Sequence, residues 1–316
     1  MLDESSTLHT IRIEMRETLS NYCTFDAYYI STVDPTTLLP TGSLTDPRIE
    51  SIHNELLHNE FKENENVARI LHLENGEETR LKEILAPADF GDELRVPLMY
   101  RNQCWGVIHL FRTKASSSFT QEDLSLISNL SRSFASKIAN HFQHTKVQGH
   151  VTPGTVITDT NFNMIYSNEH GQLWLDTLKT IEHINTNQTP RSVQGLLARL
   201  DIDKATSKKL ILNSADEGFF QIRAEKLQDH HSDEVIAFHF ENVSFADQYT
   251  YAKNQYELSE REGDVTDCVL KGYTTKKIAE TLFISMHTAQ DHLKSIFRKV
   301  DVHTRRDLIN KLMGKT

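Results

Sequence analysis

The chain has 316 residues, 38% hydrophobic and 25% charged, with a formal net charge of −10. That is ordinary globular material of roughly two or three domains. The longest apolar runs, such as Trp105–Leu110, fall far short of the about 20 residues a membrane span needs.

The opening MLDESSTLHT has acids where a secretory signal wants bases. Cys23, Cys104 and Cys268 are far apart and odd in number, so they fit neither a disulfide framework nor a zinc site. The expectation is a soluble, cytoplasmic protein with no membrane contact. The charge is uneven. Residues 256–316 hold 11 Lys+Arg against 9 Asp+Glu, a balance of +2, which leaves 23 bases against 35 acids, or −12, upstream. A mildly basic C-terminal part on an acidic body permits local contact with nucleic acid while the body discourages nonspecific binding.

In chain order, Leu8, Ile11, Met15 and Leu19 predict a helix over 7–20. AYYISTVD predicts a strand, with a second short segment at Leu38–Gly42. Residues 48–75 read as polar helix. Glu93–Arg112 predicts a hairpin turning at Arg101-Asn102-Gln103, with Pro97 at an edge or bulge. Thr120 caps the next helix with Asp123 as its partner, and Leu124, Ile127, Leu130, Phe134 and Ile138 form its apolar stripe. This helix–strands–hairpin–helix order over about residues 5–145 resembles a GAF domain, a sensory α/β module.

TKVQGHVTPG (145–154) reads as a linker. Strand–turn–strand then leads to Ser167-Asn168 and a helix, and Phe219–Arg223 and Val235–Asn242 alternate as strands. Residues 180–215 read as mostly helical. The region 151–245 resembles a PAS domain, a second sensory fold.

Near the C-terminus, Ser259 and Glu262 make a capping box, and Gly272 stops that helix. Thr274 or Thr275 opens a second helix, Phe283-Ile284 form a turn, Ser285 caps a third helix and Thr304 a fourth. On the third, Ala289, Leu293, Ile296 and Val300 make one buried stripe, while His287, Asp291, Lys294 and Arg298 point the other way. Two helices joined by a tight turn, the second with a polar face, define a helix-turn-helix.

Leu258, Ser259, Arg261-Glu262, Val265, Gly272, Ile278-Ala279, Leu282, Ile284-Ser285, Thr288, His292-Leu293, Lys299 and Leu308 make the segment similar to the LuxR/FixJ-type helix-turn-helix. Lys277, Ala289 and Gln290 depart from that pattern, which has Glu, Val and a base there. The resemblance implies base contacts from Gln290, Asp291 and Lys294, which can address adenine, a cytosine amino group and guanine. Phosphate contacts would come from Thr275, Lys276, Lys277, Thr288, Arg298 and Lys299. It also implies a dimerisation helix carrying Leu308, Ile309 and Leu312, and double-stranded DNA, a second copy and RNA polymerase as partners.

The expected fold is multidomain α+β. Two antiparallel-sheet sensory domains (1–145 GAF-like, 146–250 PAS-like) precede an all-α four-helix domain (251–316). Neither a Gly-rich phosphate loop, an HExxH nor a nucleophile elbow occurs, so no catalysis is expected. No cofactor is required, a ligand of unknown identity in either sensory domain stays open, and His141/His144 and His230-His231 lack metal-ligand spacing. The alternative is a sensory or interaction scaffold whose helix-turn-helix no longer reads DNA.

Overall fold

The computed structural model describes residues 7–63, 69–72, 79–144, 152–185, 188–214, 218–228 and 234–312. Most of the expected linker, His230-His231 and the last four residues lie outside these. The chain forms two compact units, one reaching to Asn242 and one running from Val243 to the C-terminus.

The first unit opens with α1 (Leu8–Tyr22), β1 (Ala27–Val33), β2 (Pro40–Thr45), α2 (Pro47–Glu50) and α3 (His53–Glu63). After β3 (Arg69–His72) and α4 (Thr79–Leu85) come the long β4 (Phe90–Tyr100) and β5 (Gln103–Thr113), then α5 (Gln121–His144). The antiparallel sheet has the order β2-β1-β5-β4-β3. The hairpin turns on Arg101 and Asn102 alone, both with positive φ (51° and 63°), the two-residue geometry that matches strand twist. Gln103 already pairs with Tyr100. Pro97 sits at a register shift in β4, where the missing N–H is tolerated inside a sheet. Thr120 and Asp123 cap α5 reciprocally, at 2.9 and 3.2 Å.

The helical expectation for 48–75 fails at β3, which pairs with β4 from Arg69↔Arg95 to His72↔Asp92. Four residues carry too short a pattern to announce a strand, and it is the unpaired edge of β4 that recruits them.

A second five-stranded sheet follows: β6 (Gly154–Thr158), β7 (Met164–Ser167), α6 (Glu169–Glu182), α7 (Arg191–Ile202), β8 (Ser207–Ser214), β9 (Gly218–Gln228) and β10 (Glu234–Asn242). Its order, β7-β6-β10-β9-β8, repeats that of the first sheet. Strand β8 corrects the helical expectation for 180–215. Leu210 and Leu212 point into the core, but Ile211 between them hides the alternation.

The two sheets fall within one compact unit. Leu39, beside β2, belongs to the apolar core of the second sheet, and Pro40 lies so close to Gly195 of α7 that a Cβ there would come within 2.5 Å. Arg12 of α1 is buried and donates to Thr32 Oγ1 at 2.8 Å. Burial lowers its pKa to about 10 against the opposing pull of Glu182 on α6. Glu182 in turn caps α7, accepting from the Arg191 and Ser192 amides, where Pro190 offers no capping side chain. Arg191 pairs with Glu50 of α2, and His9 stacks on His183 at 3.8 Å.

The second unit has five helices among its described residues: α8 (Phe245–Gln255), α9 (Glu260–Leu270), α10 (Thr275–Leu282), α11 (Met286–Val300) and α12 (Arg305–Leu312). Helix α8 is additional to the four expected, and a boundary at 250/251 would cut through it. Its Tyr249 and Ala252 lie in the apolar core around Val265, Ile278, Ile296 and Leu308. Lys253 also reaches Asp267 at 3.3 Å.

Candidate nucleic-acid interface

Local chemistry sets each helix end in the second unit. Ser259 and Glu262 form the complete capping box of α9, and Gly272 closes it with φ 76°. Thr274 caps α10 through the Lys277 amide. Phe283 ends α10 in the left-handed region (φ 55°), and Ser285 caps α11 by accepting from Thr288 N at 3.0 Å. Thr304 caps α12 through Asp307 N at 3.1 Å.

The buried stripe is as expected: Ala289, Leu293, Ile296 and Val300 all face the core. This fixes the rotation of α11 and turns Gln290, Asp291, Lys294 and Arg298 to solvent. Asp291 is held by His287 at 2.9 Å, one turn back, and by Lys294 at 3.6 Å. The acid therefore has a hydrogen-bond partner in His287 and a cation, Lys294, on the same exposed face. Arg298 and Lys299 occupy the last turn, where cations suit the helix dipole.

Lys276 and Lys277 are exposed on the first turn of α10, with Lys277 3.9 Å from Glu280. Thr288 Oγ1 lies 2.8 Å from Ser285 Oγ. Thr275 Oγ1 accepts from Arg305 Nη2 at 2.8 Å, and Arg305 also donates to the Tyr273 carbonyl. Arg305 thus braces the entry to α10, a role no local pattern announces because its partners lie 30 and 32 residues upstream.

Lys299, expected among the phosphate contacts, is also engaged within the domain. Its Nζ donates to Glu262 Oε2 at 2.6 Å and to the Glu257 carbonyl at 2.7 Å. Burial pushes the Glu262 carboxyl up, but hydrogen bonds from Lys299, Ser295 and the Ser259 amide, with the Lys299 charge, hold it down at about 2. Leu308 and Leu312 depart from the dimerisation set: at 0% and 1% exposed they fill the domain's own core, leaving Ile309 half-buried.

In the first unit, the polar cluster nearest a sensory role is Glu93, His109 and Arg95 on β4 and β5, all buried. Burial pushes Glu93 up, but Arg95, His109 and Arg69 hold it at about 2. The Tyr29 ring meets His53 and His109 edge-on at 5.1 and 5.3 Å. Trp105 is buried with its ring 5.5 Å from Phe142 of α5, a packing position. Trp174, Cys104 and Cys268 are buried core residues.

Residues 256–312 match the family of bacterial regulatory proteins of the luxR type, and residues 3–138 match the GAF domain. The transcriptional activator RamA of Corynebacterium glutamicum is 40% identical over 58 residues, which are 18% of this chain and 21% of that protein. The oxygen regulatory protein NreC of Staphylococcus epidermidis is 31% identical over 77 residues, 24% of this chain and 35% of that protein. The match thus spans about a fifth to a third of these relatives. A solved GAF domain/HD domain protein from Geobacter sulfurreducens is similar over 44% of this chain and 97% of its own, at 16% identity and a TM-score of 0.35. The chain therefore carries a GAF domain at its N-terminal end and, over residues 256–312, a helix-turn-helix domain of the luxR family of bacterial regulatory proteins.

Proposed function

We propose that the chain is a sequence-specific DNA-binding transcription regulator. The carrying observation is the exposed face of α11, on which Gln290, Asp291 and Lys294 stand together on a helix locked in rotation by its buried stripe. Such a helix enters a major groove and reads base edges. Lys276, Lys277, Thr288 and Arg298 supply phosphate contacts, with Thr275 braced behind them. Lys299 is assigned to the fold. Two copies on a pseudo-palindromic site are the binding form, because one such module has few contacts of its own.

The GAF domain and the second sheet, read as PAS-like from the strand–turn–strand opening that ends at Ser167-Asn168, act as a sensor that gates the reading head. A ligand does this only if it binds two arrangements with different affinity. One observation favours the alternative of an interaction scaffold: Asp291 already has both of its basic partners within α11.

The test is selection of genomic fragments by the full-length chain and by residues 243–316, then binding of the best fragment across a salt series. Regulation predicts a pseudo-palindromic site, affinity falling steeply with salt, and a difference between the two proteins. Equal binding by both under every condition removes the gate. No enrichment by either leaves the scaffold.

A further inference from the structure

We infer that strand β7 and the apolar end of the open face beside it are the surface through which two copies of this chain associate. The inference deepens the dimer proposed above and rests on it.

Strand β7 is the edge of the second sheet, with β6 as its strand neighbour. All four of its residues are exposed, including Met164 (52%), Ile165 (44%) and Tyr166 (70%). Edge strands of soluble proteins are ordinarily blunted by charge or proline. Met164–Ser167 has neither.

The register extends the patch across the sheet. Tyr166 pairs with Ile157 and Ile157 with Ala237, which is buried between its neighbours, and in the next row Val235 pairs with Leu227. Ile157 and Val235 are half-buried, and Leu227 is exposed.

A second copy is the occupant for three reasons. An unpaired strand edge is self-complementary under a two-fold axis, because two identical strands run antiparallel across it and exchange N–H···O bonds. Met164, Ile165, Tyr166 and Leu227 are 39% to 70% exposed, large apolar side chains of the kind that fill the centre of a standard interface of roughly 800 Å² per partner. Finally, the charges lie farther along the same face, away from the apolar end. Arg223 pairs with Glu225 at 2.7 Å and Glu241 at 3.2 Å, one cation shared by two carboxylates, which suits the solvated rim of an interface and leaves the apolar end as its centre.

The experiment is sedimentation of the full-length chain without DNA over a concentration series, for the wild type, Tyr166→Glu, Ile165→Glu and Leu173→Glu. Leu173 is an exposed leucine on α6, outside that helix's buried set, and serves as the control. The expected result is a wild-type dimer whose dissociation constant rises about 30-fold or more in the two strand variants and is unchanged in the control.

Because all three native cysteines are buried, Tyr166→Cys adds an accessible thiol. A short bismaleimide should convert it to a covalent dimer while Leu173→Cys stays uncrosslinked, a readout that does not depend on how the glutamates affect folding. A wild type that is monomeric throughout overturns the dimer and the surface together. A dimer indifferent to the strand variants, with no crosslink at position 166, overturns the surface alone.

Discussion

Glu262 sits buried in the first turn of α9, and its charge survives there because Lys299, Ser295 and the Ser259 amide all donate to it. Its folded pKa of about 2 lies below the ordinary 4.5. The unfolded chain therefore binds the proton more readily, and the stabilisation is complete above pH 4.5 and lost as pH falls through 4.5 toward 2. Lys299→Met should destabilise residues 243–316 by about 1–2 kcal/mol, since it leaves the Glu262 carboxylate without a cation that water already screens in part. Urea denaturation would read this, and a loss of DNA affinity with unchanged stability would return Lys299 to the phosphate set. Lys294→Ala and Arg298→Ala should behave differently. The first should cost about 1–3 kcal/mol and relax preference at one base pair, the second should weaken all sequences alike and reduce the salt slope by about 1. Both are exposed, so neither should move the melting temperature.

At the scale of the element, the turn between α10 and α11 holds a local conflict. Phe283 adopts φ 55° and is 94% exposed. A left-handed C-cap favours glycine, and a phenylalanine that packs on almost nothing recovers little of the strain. Phe283→Gly should therefore stabilise the domain by about 1 kcal/mol, visible as a higher denaturation midpoint. If that variant also binds DNA or a protein partner less tightly, the ring is kept for contact. Among the strands, β4 and β5 were legible because eleven-residue runs of β-rich sequence surround a two-residue turn. Strand β3 was not, because four residues acquire strand geometry only from the edge they join. Helix α8 was missed for a related reason: its sequence FADQYTYAKNQ is polar, and only Tyr249 and Ala252 anchor it to the core.

At the scale of the molecule, the GAF domain and the second sheet are tied through Leu39, Arg12, Glu182 and the Arg191–Glu50 pair. Residues 152–242 expressed alone should fold poorly, since they lack Leu39 and leave Glu182 buried without Arg12. Co-expression with residues 1–144 should restore cooperative melting in calorimetry, whereas independent two-state unfolding of each half would contradict the shared core. The His9–His183 stack adds a pH dependence. Burial, with the nearby charges of His183 and Arg12, lowers His9 from 6.5 to about 4, and burial and Arg12 lower His183 as well. Both stay neutral in the fold but protonate when it opens, so stability is complete above pH 6.5 and falls as pH drops toward 4. His9→Phe keeps a ring at the stack and should flatten that slope in denaturation midpoints measured on either side of pH 6.

The sequence by itself determined the features that depend on neighbours within a few turns of chain. These are the capping boxes, the β4–β5 hairpin though not the length of its turn, the glycine stop and the rotation of α11, because helical period and backbone sterics act locally and leave a pattern in residue order. It also showed which side chains α11 turns outward. Tertiary structure alone decided what those side chains are free to do. Lys299 and Arg298 are adjacent, exposed bases on one helix, yet Lys299 donates to a carboxylate 37 residues upstream. Leu308 and Leu312 look the same whether they face a partner or their own core, and only the packing of α12 against α8 and α9 chooses. Burial and ion pairing depend on which distant segments meet, and residue order does not record that.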